Sequence, residues 1–228
     1  MKTKKVFRVS RAEPSSVPDD ALTQRIVEVS KDLFLRRGFI RVTTDEISAK
    51  LGISKATLYK SFATKEDLLR AVVQLLLNDI LTRVEDVIKD ERMDFVDKLV
   101  SLLTFMGVQV TQIVTVLAQD IQKAAPEIWE EIEMFRREKI FKNFRIILEA
   151  GVSSGMFKKD INLDLLLQMF MSLVQNFLNP ETLLRLDCSA TDIFRSIFQV
   201  FFEGILTDEP RREFVDRKPY SQAPAKEG

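Results

Sequence analysis

The stretch "GISKATLYKSF", residues 52–62, decides how the chain is read. Ile53 and Leu58 stand at the N′ and N4 positions of a hydrophobic staple around Ser54, so a helix starts after Ser54. At about 100° per residue, Leu58 and Phe62 fall on one side of it, with Ala56 and Lys60 nearly opposite and Thr57 and Tyr59 on the flanks. Leu58 and Phe62 therefore face inward and the others are displayed. The displayed set suits a nucleic-acid partner. Ala56 and the Thr57 methyl can touch thymine methyls, Lys60 can reach guanine or phosphate, and the Tyr59 hydroxyl can donate to a phosphate.

The flanking sequence supplies the rest of the unit. "PDDALTQRIVEVSKDLFLRRGF" (18–39) predicts a first helix, with Leu22, Ile26, Val29 and Leu33 in the 3.6 period and Gly38 at its left-handed end. "TTDEISAKL" (43–51) places Thr43 three residues before Glu46, the spacing of a capping box, with Ile47 and Leu51 on one face. Gly52 ends this second helix in a tight turn, which makes a helix-turn-helix. Thr64 and Asp67 repeat the cap spacing at a fourth helix. Lys65 then lies at N1, where the positive end of the helix dipole disfavours a cation unless a phosphate docks there.

In this order the motifs of residues 38–69 resemble, without gaps, the DNA-binding domain of the TetR family of bacterial transcriptional regulators. The resemblance is carried by Gly38-Phe39, Thr43-Thr44, Ile47, Ala49, Gly52-Ile53-Ser54, Thr57-Leu58-Tyr59, Phe62 and Lys65-Glu66. It implies that Thr44, Tyr59 and Lys65 hold phosphates, and that Lys55, Ala56, Thr57 and Lys60 face bases or neighbouring phosphates. Family recognition helices often carry Gly or Pro in place of Ala56 and an aromatic or His in place of Lys60-Ser61, which leaves the base preference open.

The 228 residues are 46% hydrophobic and 30% charged, enough to bury a sizeable core. Scarce Gly and Pro and apolar residues every three or four positions predict an all-α class. The net charge of +0 hides an asymmetry: residues 1–70 hold 15 Lys/Arg against 9 Asp/Glu, and the remainder 19 against 25. A basic head on an acidic body fits a DNA-binding regulator. One Cys and no His exclude an internal disulfide, a multi-ligand Cys/His metal site and catalysis that relies on His, so neither an enzyme nor a cofactor is expected. No apolar run is long enough for a membrane span and no secretory signal is present, so a cytoplasmic protein is expected.

The expected organisation is an unstructured basic arm (1–18), a three-helix DNA-binding domain (19–64), a helical effector-binding and dimerisation domain (65–207) and an unstructured tail (208–228). From Lys65 to about Asp90 the apolar period predicts a helix of about 25 residues, nearly 40 Å, tying head to body. "VQVTQIVTV" (108–116) has strand-like composition but no pairing partner, and is read as a buried helix. Its Gln109, Gln112 and Thr115 put polar groups either into an apolar cavity or onto an exposed side. Pro126 opens a helix with Ile128, Ile132, Phe135, Phe144 and Leu148 on its dry face and the pairs Glu133/Arg137 and Glu138/Lys142 on its wet one. Candidate effector contacts are Phe105, Gln109, Gln112, Trp129, Phe135, Phe144 and Met169, although Trp129 suits the core as well.

Two last helices, from Asn162 to a stop at Pro180 and from Ser189 onward, are apolar around much of their circumference. Packing against a second copy accounts for this, as in the TetR four-helix interface, with Phe177, Phe194, Phe198, Phe201 and Phe202 expected there; central helices of a monomeric bundle are the alternative. The resemblance implies a repressor that binds a pseudo-palindromic double-stranded DNA operator as a homodimer and is released by a small-molecule effector, lipophilic or aromatic in character. The competing reading is an all-helical protein-interaction module without sequence-specific DNA binding.

Overall fold

In a computed structural model, residues 17–114, 117–186 and 188–217 are described, and among them every regular element is helical. Four helices build the N-terminal head: α1 (Val17–Arg37), α2 (Thr44–Leu51), α3 (Lys55–Ser61) and α4 (Lys65–Lys89). The body adds α5 (Phe95–Val114), α6 (Leu117–Ala124) and α7 (Pro126–Phe135), a π turn (Arg136–Ile140), then α8 (Phe141–Ser153), α9 (Leu163–Phe177), α10 (Pro180–Leu186), α11 (Ala190–Ile205) and α12 (Asp208–Asp216). The basic arm up to residue 16, Thr115 and the chain beyond 217 lie outside the described residues.

The helix starts follow from their caps. Thr43 accepts from the Glu46 amide, Ser54 from Thr57, Asn162 from Leu165 and Ser189 from Asp192. Each satisfies an amide that the helix itself cannot, worth about 1 kcal/mol. At Thr64 the box closes in both directions: Asp67 N–H donates to the Thr64 hydroxyl and the Thr64 amide to the Asp67 carboxylate. The box expected at Thr43 stays half-made, because the Glu46 carboxylate pairs with Arg37 instead.

Two apolar cores form. The first joins Ile26, Phe34, Phe39, Val42, Ile47 and Leu58 to Leu68, Leu69, Val72, Val73 and Leu76 of α4, and is closed by Leu117, Ile121, Ile128 and Ile132 from α6 and α7. The second gathers Ile80, Val84 and Val87 with α5, α8, α9 and α11. Packing thus runs through α4 rather than dividing at residue 64.

Several expectations need correction. The segment from 208 is not wholly unstructured: α12 buries Phe214, and Arg217 just after it chelates Asp94 through two bonds of 3.0 Å and also pairs with Asp97. These bonds hold the Asp94 carboxyl below its ordinary range. One buried ring and one clamped guanidinium leave no periodicity to read. Pro180 does not merely stop a helix; it opens α10. Residues 108–114 are helical, but Val108 is exposed rather than buried. Neither Glu133/Arg137 nor Glu138/Lys142 pairs, because the π turn shifts the helix phase between them, and Glu133 binds Arg136 at 2.9 Å.

The α8 terminus shows how tightly the body is fitted. A Cβ at Gly151 would lie 2.3 Å from the Phe157 ring and 2.7 Å from Phe95, two rings in edge contact at 5.1 Å. Gly151→Ala is therefore expected to cost about 1–3 kcal/mol despite the better helix propensity of alanine, and to lower the urea midpoint.

Candidate DNA-binding interface and body cavity

The head displays its polar face through a local scaffold. Gly52 adopts φ 68°, so its amide and that of Ile53 return to α2 carbonyls and the chain reverses into α3. Leu58 is buried against α1 and α4, Phe62 is half-buried, and Lys55, Ala56, Tyr59 and Lys60 are exposed. The Tyr59 hydroxyl, on a side chain 46% exposed, lies 3.3 Å from the Thr44 hydroxyl, so the structure brings together two residues expected to hold phosphate. Thr57 is half-buried with its hydroxyl 2.8 Å from that of Ser54, leaving its methyl as the group free for contact.

The three lysines differ. Lys60 has no ion-pair partner among the described residues. Lys55 is held by Asp45 at 2.6 Å, and that hydrogen bond raises its pKa. Lys65 departs from the expectation of a displayed phosphate ligand: its ammonium turns inward, donates to the Phe39 carbonyl at 2.6 Å and sits 4.3 Å from the centre of the Phe39 ring. Burial pushes its pKa down, against the pull of Glu66 and Asp120. The same loop is tied to the body, where Asp120 of α6 accepts from the Ile40 amide at 2.9 Å and Glu131 of α7 pairs with Arg70 at 3.1 Å.

The body encloses an apolar cavity of about 150 Å³ between α4, α5, α7, α8, α9 and α11. Of the residues expected to contact an effector, Gln109, Phe135 and Phe144 line it. Phe105 packs behind the wall, Trp129 belongs to the head's core, and Met169 is 52% exposed on the outer side of α9. The Gln112 side chain lies outside the described residues. Phe194, Phe198 and Phe202 also line the cavity, so these three do not form an outer face and their periodicity marks the inward stripe of α11, whereas Phe201, itself buried, lines an outer groove with Phe177 and Val200. Of the five expected interface residues, only Phe177 is exposed.

Arg136 is the charged cavity-lining residue among those that the sequence reading missed. Its signal was present: Phe135 and Phe144 are nine residues apart, which at about 100° per residue puts them on opposite sides of a regular helix. The π turn absorbs the extra residue and brings Arg136, Ile140 and Phe144 to the cavity.

A model of bacterial regulatory proteins of the tetR family matches residues 26–72, the span from mid-α1 into α4. The head belongs to the TetR family. The HTH-type transcriptional regulator YvaF of Bacillus subtilis (strain 168) is 24% identical over 188 residues, covering 82% of this chain and 97% of YvaF. The HTH-type transcriptional repressor KstR2 of Mycolicibacterium smegmatis is 25% identical over 158 residues, 68% of this chain and 74% of KstR2. Among solved structures, a putative transcriptional regulator from Saccharomonospora viridis in complex with choline superposes with a TM-score of 0.62 at 18% identity, covering 83% of this chain and all of that one. With a head of this family, the chain is a DNA-binding transcriptional regulator.

In this head the Lys65 ammonium is engaged by Phe39. Lys65→Met removes a charged hydrogen bond and a cation–π contact from a partly exposed site, so a loss of about 1 kcal/mol is expected, measured as a lower urea midpoint.

Proposed function

We propose that the protein is a homodimeric repressor that binds a pseudo-palindromic operator and is released when a small molecule enters the body cavity. The reading rests first on the displayed face of α3, where Lys55, Ala56, Thr57, Tyr59 and Lys60 stand on a helix whose cap and inward side are already satisfied. Tyr59 and Thr44 hold one phosphate; Lys60 and the Thr57 methyl read bases or their neighbours. Repression is supported by the similarity to the repressor KstR2, and accommodation of a small molecule in this fold by the choline complex.

Dimerisation is supported by the outer side of α9 and α11. Leu165, Met169, Phe177 and Val200 are exposed there beside Gln168, Ser172, Asn176, Ser196 and Gln199, with charge thinned to the helix starts. Apolar surface with few charges is the composition of an interface centre. Two-fold symmetry would then set the recognition helices one DNA turn, about 34–36 Å, apart. An effector acts only through its difference in affinity between the two conformations, and Ile132, shared by the head's core and the cavity wall, is placed to transmit it.

Selection from random duplexes identifies the operator, and titration at several salt concentrations tests the contacts. Lys60→Ala is expected to flatten the salt slope by about two units, one per protomer, and Tyr59→Phe to weaken binding with little change of sequence preference. Unchanged selection after Thr57, Tyr59 and Lys60 are all replaced by alanine would overturn the assignment in favour of a protein-binding head. Separately, Val200, 77% exposed, tests the interface. Val200→Asp is expected to raise the dimer dissociation constant at least tenfold in sedimentation, with the helical circular dichroism retained.

A further inference from the structure

The cavity's polar inventory is small enough to name its ligand's chemistry. Its wall is hydrocarbon and aromatic ring, including the stacked pairs Phe144–Phe170 at 4.5 Å and Phe198–Phe202 at 4.3 Å. Among the described residues only Gln109 and Arg136 bring polar groups to it, and Arg136 brings the only charge. The Arg136 side chain is about three-quarters buried, and its guanidinium donates from one terminal nitrogen, to Glu133 at 2.9 Å. Its Nε and second terminal nitrogen have no protein acceptor among the described residues. Glu133 is itself shared, because its other oxygen accepts from Gln175 at 3.3 Å.

We infer that the effector is a compact hydrocarbon-bodied carboxylic acid whose carboxylate is bound by Arg136 at the π turn. The inference rests on the proposal that the cavity is the effector site and adds the ligand's class to it. An Nε–NH2 edge offers two parallel N–H donors, the geometry that a carboxylate takes bidentately and that a hydroxyl or single carbonyl can only half use. The body of the ligand is bounded by volume: about 150 Å³ of apolar cavity holds roughly a benzene ring. A ring among the phenylalanines with a short chain toward Arg136 meets both limits. Among the described residues a cation has no lining carboxylate to meet, and a purely apolar molecule would make no use of the one charge on the wall. The wide turn supplies the register, since without its extra residue Phe135 and Phe144 would lie on opposite sides of the helix and could not line the same space.

The test uses the full-length protein and a matched pair of probes, phenylacetate and 2-phenylethanol, measured by titration calorimetry at pH 7.4. The wild type is expected to bind the acid at least tenfold more tightly than the alcohol. Arg136→Met should remove that preference while leaving alcohol binding unchanged, which also shows that the cavity has survived. Glu133→Gln frees the guanidinium of its competitor and should tighten acid binding severalfold without affecting the alcohol. Equal binding of acid and alcohol by the wild type, an acid preference that survives Arg136→Met, or unchanged or weaker acid binding by Glu133→Gln would overturn the carboxylate assignment while the cavity reading stood. Failure of both probes to bind the wild type would overturn the cavity reading, and this inference with it.

Discussion

Helix α4 buries Leu68, Leu69, Val72, Val73 and Leu76 in one apolar core and Ile80, Val84 and Val87 in the other, and neither core closes without it. Twenty-five residues at 1.5 Å each give a rigid strut, and the closed capping box at Thr64 fixes where it begins. The head's angle relative to the body is therefore set by the packing along one helix. The contacts from Asp120 to Ile40 and from Glu131 to Arg70 bind the same two parts from the side. Because protein interiors are close-packed, a change in cavity volume at Ile132 cannot be absorbed locally without moving neighbours of α4.

The parts of this fold that are local chemistry were legible in the sequence. Caps at Thr43, Ser54, Asn162 and Ser189, the left-handed glycines 38 and 52 and the inward pair Leu58 and Phe62 each depend on residues within a turn of one another. What escaped depends on contacts distant along the chain or on a break in the period. Arg217 finds Asp94 across more than a hundred residues, and α12 carries a single buried ring, so no amphipathic stripe announces it. Lys65 has the composition of a phosphate ligand and the placement of a positioning residue, because Phe39 lies within reach only after α1 and α4 have packed. The phenylalanines of α11 show the ambiguity that periodicity cannot remove: it identifies the apolar face but not whether a subunit's own helices or another copy covers it.

The π turn places functional weight at the one point where the regular repeat fails. A helix running unbroken from Pro126 to Ser153 would turn Lys139 and Lys142 toward the wall now made by Ile140 and Phe144. The phase slip keeps those ammonium groups in water, while Arg136, one turn after Ile132, lines the cavity with its own partial counter-charge, Glu133. Its position between α7, which serves the head's core, and α8, which serves the body's, lets the same irregularity border both.

The head's core is finished by Leu117, Ile121, Ile128 and Ile132, residues that lie 45 or more positions beyond the span matched to the family. The conserved-looking module is therefore not a folding module. A fragment that ended at α4 would carry the whole recognition surface on a hydrocarbon base open to water. Exchange of heads between relatives would succeed only where α6 and α7 travel with them, which ties the specificity of the reading end to the history of the sensing end.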